Sequence, residues 1–106
     1  MAKKIKGEVA LKYEGKSYTL LLDFNALAEF EDAAAVPNAL ETLNQGMGAK
    51  LTRILFWCGL KGNHPDITLE EAGRILTDNA DKLAEALSAS FPGSKDGGEG
   101  NGPKAP

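Results

Sequence analysis

Residues 55–69 constrain the fold of this chain more than any other part of its sequence. They read Leu-Phe-Trp-Cys-Gly-Leu-Lys-Gly-Asn-His-Pro-Asp-Ile-Thr-Leu, an apolar run followed by a Gly, Asn and Pro break that a helix does not cross. Thr68 and Glu71 then have the spacing of a capping box, in which each side chain accepts a hydrogen bond from the other residue's amide. The segment therefore predicts one helix that ends near Leu60 and another that begins at Leu69.

A β-hairpin is predicted at the N-terminal end of the chain. Residues 5–13 alternate between the two faces of a strand, and residues 18–23 are rich in β-prone side chains. Between them, residues 14–17 read Glu-Gly-Lys-Ser, and Gly15 supplies the flexibility that a tight hairpin loop requires. The two segments therefore predict an antiparallel pair of strands.

Apolar periodicity divides most of the remaining chain into short helices. They are predicted at about 23–36, 38–44, 49–60, 69–76 and 80–90, separated by Pro, Gly or Asn. We therefore expect an α+β fold, with the N-terminal β-hairpin packed on four or five short α-helices in a single domain over residues 1–91. Residues 92–106 are predicted to be a flexible, disordered tail, because eight of these 15 residues are Gly or Pro and the only aliphatic side chain is Ala105.

Overall composition argues against several classes of protein. The net charge of −3 does not provide the concentrated basic surface that nucleic-acid binding requires. A single cysteine excludes an internal disulfide, which fits a reducing cytoplasm. The longest apolar run, residues 54–60, is far shorter than the roughly 20 residues of a membrane span. We expect a soluble protein with no membrane and no nucleic-acid partner.

The residue types that carry catalysis and metal binding are scarce. Cys58 and His64 are the only cysteine and histidine, which is too few ligands for a zinc site. Cys58 also falls on the predicted core face of its helix, where a free cysteine behaves as a small hydrophobic residue. We predict no enzyme activity, no metal and no cofactor. His64 is instead expected to bind carbonyls at the preceding helix end, and Gly62 to end that helix in a left-handed conformation.

The helix at 49–60 carries more apolar residues than a single buried stripe needs. Phe56, Trp57 and Leu60 lie outside the stripe formed by Met47, Leu51, Ile54, Leu55 and Cys58. One interpretation is that this is the central helix, covered on several sides. The other is that Phe56, Trp57 and Leu60 form a partner-binding patch, since aromatic residues surrounded by polar ones are typical binding anchors.

Acidic residues are concentrated in the middle of the sequence. Residues 17–49 contain five acids and no Lys or Arg, and Glu29 and Asp32 lie on the polar face of their helix. These acids either keep the protein soluble or form a docking surface for a basic partner. Glu31 lies at the edge of the apolar arc, where its carboxylate either extends to solvent or is held by the hairpin or by Arg53.

Two parts of the sequence resemble a known family. The first is Gly-Leu-Lys-Gly at 59–62, followed by His-Pro at 64–65 and the capped helix. The second is Gly-Glu-Val-Ala at 7–10, the turn at 14–16, and the leucines at 20–22 that lead into the acidic helix at 26–31. Together they resemble the phage tail assembly chaperones of the gene-transfer-agent type, also described as tail tube proteins of gene-transfer-agent-like phages, over roughly residues 6–91.

This resemblance implies a role in phage tail assembly inside the host bacterial cytoplasm. Such chaperones bind the tape measure protein and tail tube subunits, keep the tape measure soluble and leave before the virion is finished. A longer frameshifted product is common among them. The alternatives are a structural tail component that stays in the virion and a small acidic regulator that binds a host protein. Self-association is a further expectation.

Overall fold

The computed structural model describes residues 8–90, and within them the chain has the α+β architecture expected from its sequence. Two strands, β1 (Glu8–Tyr13) and β2 (Lys16–Leu21), precede four helices: α1 (Phe24–Ala34), α2 (Ala39–Gln45), α3 (Ala49–Lys61) and α4 (Leu69–Ser90). The predicted start of the first strand at Ile5 and the predicted tail at 92–106 lie outside the described residues.

The two strands form the predicted antiparallel hairpin, with a shorter loop than the sequence suggested. Tyr13 pairs with Lys16, so only Glu14 and Gly15 form the turn. Both turn residues have positive φ, 52° and 80°, which is the pattern of a type I′ turn. This turn matches the natural twist of the strands, which explains why Lys16 and Ser17 join β2 rather than the loop.

The core lies between one face of the hairpin and the helices. Val9, Leu11 and Leu20 are buried on that face, and α3 and α4 both pack against the strands. α3 is the central helix, because it contacts α1, α4 and β2. Its Gly59 lies so close to β2 that an added Cβ would be 2.6 Å from a methyl carbon of Leu20. The close approach of α3 to the sheet therefore requires glycine at this position.

The first two helices follow the predicted breaks, with caps that the sequence specifies. Asp23 caps α1 by accepting from the Ala26 amide, and Asn38 caps α2 by accepting from the Glu41 amide. Ala35 ends α1 in the left-handed region, at φ 58°. The chain therefore turns sharply between α1 and α2, in the segment where Val36-Pro37 predicted a break.

α4 begins with the predicted capping box. The Glu71 amide donates to Thr68 Oγ1 and the Thr68 amide donates to Glu71 Oε1, each at 3.1 Å. The predicted break near Asn79 is a kink inside α4, where Asn79 has φ −134° and ψ 33°. The apolar periodicity of residues 80–90 predicts a buried stripe that includes Leu83, Ala84 and Leu87, but Ala84 is exposed and Ala86 is buried instead.

Candidate functional site

The predicted apolar patch on α3 is mostly core. Phe56 and Leu60 are 0% exposed, so they fit the interpretation of a central helix and do not lie on a surface patch. The reason is that α1, α4 and β2 all pack on α3, so residues outside a single helical stripe still face other elements. Of the three residues in the predicted patch, only Trp57 reaches the surface, where it is partly buried.

Trp57 holds the loop after α3 against the helix. Its indole Nε1–H donates to the Ile67 carbonyl at 3.0 Å, directly before the capping box of α4. The Lys61 ammonium lies 4.5 Å from the centre of the Trp57 ring, within the range of a cation–π interaction. One side of the Trp57 ring is therefore covered by a cation, while its polar edge fastens the loop.

Glu29 joins this group from α1. The Lys61 ammonium lies 3.0 Å from Glu29 Oε1, and the two side chains are 32% and 56% exposed. The three residues Glu29, Lys61 and Trp57, which we call the Trp57 cluster, therefore connect α1 to α3 at the surface. An exposed ion pair of this kind contributes about 0–1 kcal/mol to stability. Its main effect is to fix where the Glu29 carboxylate and the Trp57 ring are presented.

Two further acids, one on α1 and one on α2, are exposed. Asp32 lies one helical turn beyond Glu29, is exposed and has no ion pair within residues 8–90. Glu41 on α2 is also exposed, and its carboxylate accepts only from the Gln45 side chain among the described contacts. The sequence-predicted residues Glu29, Asp32 and Trp57 thus share one side of the molecule.

Glu31 has a role that the sequence did not predict. Its Oε2 accepts from the Ala39 amide at 2.9 Å, at the first residue of α2. The predicted alternatives, a contact with the hairpin or with Arg53, were wrong. Instead the carboxylate joins α1 to α2 and satisfies an amide that would otherwise lack a partner at a helix start. The Arg53 Nε, by contrast, is buried without a hydrogen-bond partner.

His64 links the loop after α3 to the hairpin. The Thr19 amide donates to His64 Nε2 at 3.0 Å, so the other ring nitrogen carries the proton in the neutral ring. The ring also contacts Tyr18, with centroids 5.1 Å apart. The predicted role of the His64 ring at the helix end was wrong, because the backbone amide of His64 donates to the Leu60 carbonyl instead. Gly62 is right-handed, with φ −60°, rather than left-handed.

Cys58 lacks the environment of a reactive nucleophile. It is 4% exposed, and burial raises the pKa of its thiol to about 11, an effect that nearby Lys61 opposes and Glu29 reinforces. The thiol is therefore protonated at neutral pH, whereas the thiolate is the reactive form. Between Glu8 and Ser90 no group of three or more His, Cys, Asp or Glu residues is placed to hold a metal ion.

A second surface feature was not predicted from the sequence. A cleft of about 240 Å³ lies between the hairpin turn and the first half of α4. Its lining combines aromatic, acidic and basic side chains, namely Tyr13, Tyr18, Glu14, Glu71, Lys16 and Arg74. Burial and the nearby carboxylates of Glu14 and Asp78 raise the pKa of Tyr13. Equal numbers of acids and bases give this cleft no preference for a ligand of either charge.

Comparison of the chain with protein-family models, with curated proteins and with solved structures gave no match. Across residues 8–90, no helix is long and apolar enough to cross a membrane.

Proposed function

We propose that this protein is a phage tail assembly chaperone that binds a basic, amphipathic segment of the tape measure protein in the host bacterial cytoplasm. The family resemblance in residues 59–65 and in the hairpin supports this role. The observation that carries the proposal is the arrangement of Glu29, Asp32 and Trp57 on one side of the molecule.

The chemistry of this surface indicates what kind of partner fits it. A partly exposed tryptophan among polar residues has the character of an interface anchor. The carboxylates beside it attract a basic partner and orient its approach. The Lys61 ammonium contacts both the face of the Trp57 ring and the Glu29 carboxylate. An incoming Lys or Arg side chain can replace it in either contact. A helix with basic and apolar side chains satisfies both requirements.

An exposed apolar side chain lies on α2, the helix that follows α1. Leu40 on α2 is 41% exposed, one of two large apolar side chains that are exposed within the described part of the chain. α2 contacts α1, the helix that carries Glu29 and Asp32. A partner helix lying along α1 would therefore meet acidic side chains and an exposed leucine, which is the pattern of helix recognition by a surface groove.

The test is binding of purified protein to tape measure fragments, measured by calorimetry at two salt concentrations. Replacing Trp57 with Ala is expected to weaken binding by at least about 2 kcal/mol, the size of an interface hot-spot effect. The double variant Glu29→Gln, Asp32→Asn is expected to weaken binding by roughly tenfold and to reduce its salt dependence.

The matched control for the acidic surface is Glu85→Gln. Glu85 pairs with Lys82 on α4, and its side chain is 56% exposed, as is that of Glu29. This control is expected to bind like the unmodified protein. Equal affinity of all variants, in proteins that remain folded, would contradict the proposed surface. Finding the protein at stoichiometric levels in purified virions would instead support the retained tail component.

A further inference from the structure

The outer edge of β1 carries backbone groups that are available for pairing with another strand. Glu8, Ala10 and Lys12 alternate with the buried Val9 and Leu11, and their amides and carbonyls point away from β2. Ala10 is exposed, and neither its amide nor its carbonyl has a hydrogen-bond partner within residues 8–90. An open edge of this kind is a template for a further strand.

The two edges of the hairpin differ in how they are covered. On β2, the Thr19 amide donates to His64 Nε2 at 3.0 Å, in a part-buried contact. On β1, the Asn79 side chain donates to the Lys12 carbonyl at 3.2 Å, in an exposed contact. Asn79 Nδ2 also donates to the Ile75 carbonyl, so it keeps a hydrogen-bond partner when it leaves Lys12. Displacing Asn79 from the edge of β1 therefore leaves no buried group unsatisfied.

The charges along β1 are complementary to those of a second copy of the same strand. Glu8 and Lys12 lie on the outer face, each two residues from Ala10. When two copies of β1 pair antiparallel about an axis at Ala10, Glu8 of each copy lies opposite Lys12 of the other. A shift of this register by two residues in either direction loses both charge pairs. The charges therefore favour one register.

The side chains that form these charge pairs can reach a second copy. Lys12 is exposed and forms no ion pair within the part of the chain that the structure describes. A carboxylate accepts about four hydrogen bonds, so Glu8 can bind a lysine of a second copy without giving up its other contacts. Val9 and Leu11 remain in the core of their own copy.

We propose that two copies of this protein associate through β1, paired antiparallel about Ala10, to form one four-stranded sheet. The outward backbone groups of Glu8, Ala10 and Lys12 supply the hydrogen bonds, and the two pairs of Glu8 with Lys12 orient the copies. The same surface is used by both copies, so the assembly closes at a dimer. A single short edge forms a small interface, which is typical of weak association. This inference does not depend on the proposed function.

Sedimentation of the full chain at low salt, over a roughly 100-fold range of concentration, tests the association. The unmodified protein is expected to shift from monomer to dimer. Lys12→Glu and Glu8→Lys each place like charges opposite each other twice, so each should raise the dimer dissociation constant by at least roughly tenfold. Lys82→Glu makes the same change in net charge on α4 and should leave the association unchanged.

Mixing the two charge variants tests the register itself. An equimolar mixture of Lys12→Glu and Glu8→Lys again places opposite charges across the edge, so it should associate more tightly than either variant alone by at least roughly tenfold. An unmodified protein that stays monomeric over the whole range would overturn the proposal. A mixture that associates no better than the separate variants would also overturn it.

Hydrogen exchange followed by NMR identifies which edge is used. Exchange of the Ala10 amide is expected to slow as protein concentration rises, because this amide is bound in the dimer. The Ser17 amide points outward from β2 and provides the control, whose exchange should not depend on concentration. Slower exchange at Ser17 without any change at Ala10 would overturn β1 as the interface.

Discussion

Gly59 allows α3 to approach the hairpin closely, and this contact can be tested by adding a single methyl group. A Cβ at this position would be 2.6 Å from Leu20 Cδ1, 2.8 Å from Leu22 Cδ2 and 3.4 Å from the Leu21 carbonyl oxygen. Leu20 and Leu22 are both 0% exposed, so neither side chain can move into solvent to make room. Either the helix or the strand must shift in Gly59→Ala.

Two opposing effects determine how much Gly59→Ala changes the unfolding free energy. Overpacking a closed core costs about 1–3 kcal/mol, and contact with two immobile leucines places Gly59→Ala in the upper part of that range. Alanine is favoured over glycine inside a helix by about 1 kcal/mol. The expected net result is a loss of about 1–2 kcal/mol in unfolding free energy, with a fall in Tm of about 4–8 °C for each kcal/mol.

Two other glycines provide controls for the same chemical change. A Cβ at Gly62 would meet nothing within 4 Å, and Gly62 is already right-handed, so Gly62→Ala should stabilise the protein by about 0.4–1 kcal/mol. A Cβ at Gly73 would be 3.0 Å from the flexible Arg53 side chain, which gives an intermediate expectation. Urea denaturation of the three variants measures the order of their stabilities. If Gly59→Ala is as stable as Gly62→Ala, the close packing of α3 on β2 is wrong.

Three further predictions follow from single contacts. Trp57→Phe keeps a ring but loses the bond to the Ile67 carbonyl, and should cost about 0.5–1.5 kcal/mol in urea denaturation. His64→Phe keeps a ring beside Tyr18 but leaves the Thr19 amide without its acceptor, so it should lower the unfolding free energy by about 1–3 kcal/mol. His64→Gln should have a smaller effect. Burial raises the pKa of the Cys58 thiol from 9.0 to about 11, so the unfolded state loses its proton first and stability should fall as pH rises from about 9 to 11. Comparison with Cys58→Ala at each pH isolates this effect, and identical pH profiles of the two proteins would refute it.

Local sequence signals predicted the elements of the fold well. The Thr68 and Glu71 pair, the hairpin turn at Gly15 and the break at Asn79 are each determined by neighbouring residues, and the structure confirms all three. One core position beyond Asn79 was predicted wrongly, because Ala86 replaces Ala84 in the core. Leu83, Ala86 and Leu87 form a regular i, i+3, i+4 stripe in that half of α4, so the error lay in the choice of Ala84 rather than in the period.

Contacts between distant parts of the sequence were the main source of error. The helical stripe left Phe56 and Leu60 open to two interpretations, and only the contacts of α3 with α1, α4 and β2 decide for the central helix over the surface patch. His64 and Thr19 are 45 residues apart, and no local pattern connects them. Glu31 was recognised as unusual from its position beside the apolar arc, but its partner depended on where α2 turns back. Glu29 and Trp57 of the Trp57 cluster were predicted from the sequence, but Lys61, which contacts both of them, was not.

The bonds made by His64 and Asn79 also determine what the hairpin can do as a sheet. With a two-residue turn, Lys12 and Thr19 each occupy a non-hydrogen-bonded position of the antiparallel strand pair. Their backbone amides and carbonyls therefore point away from the partner strand. The outward amide of Thr19 is bound by His64, and the outward carbonyl of Lys12 is bound by the Asn79 side chain at 3.2 Å. On each outer edge, one backbone group is thus bound by a polar side chain from elsewhere in the chain. An additional strand would have to displace one of them, which protects a sheet of only two strands from edge-to-edge aggregation.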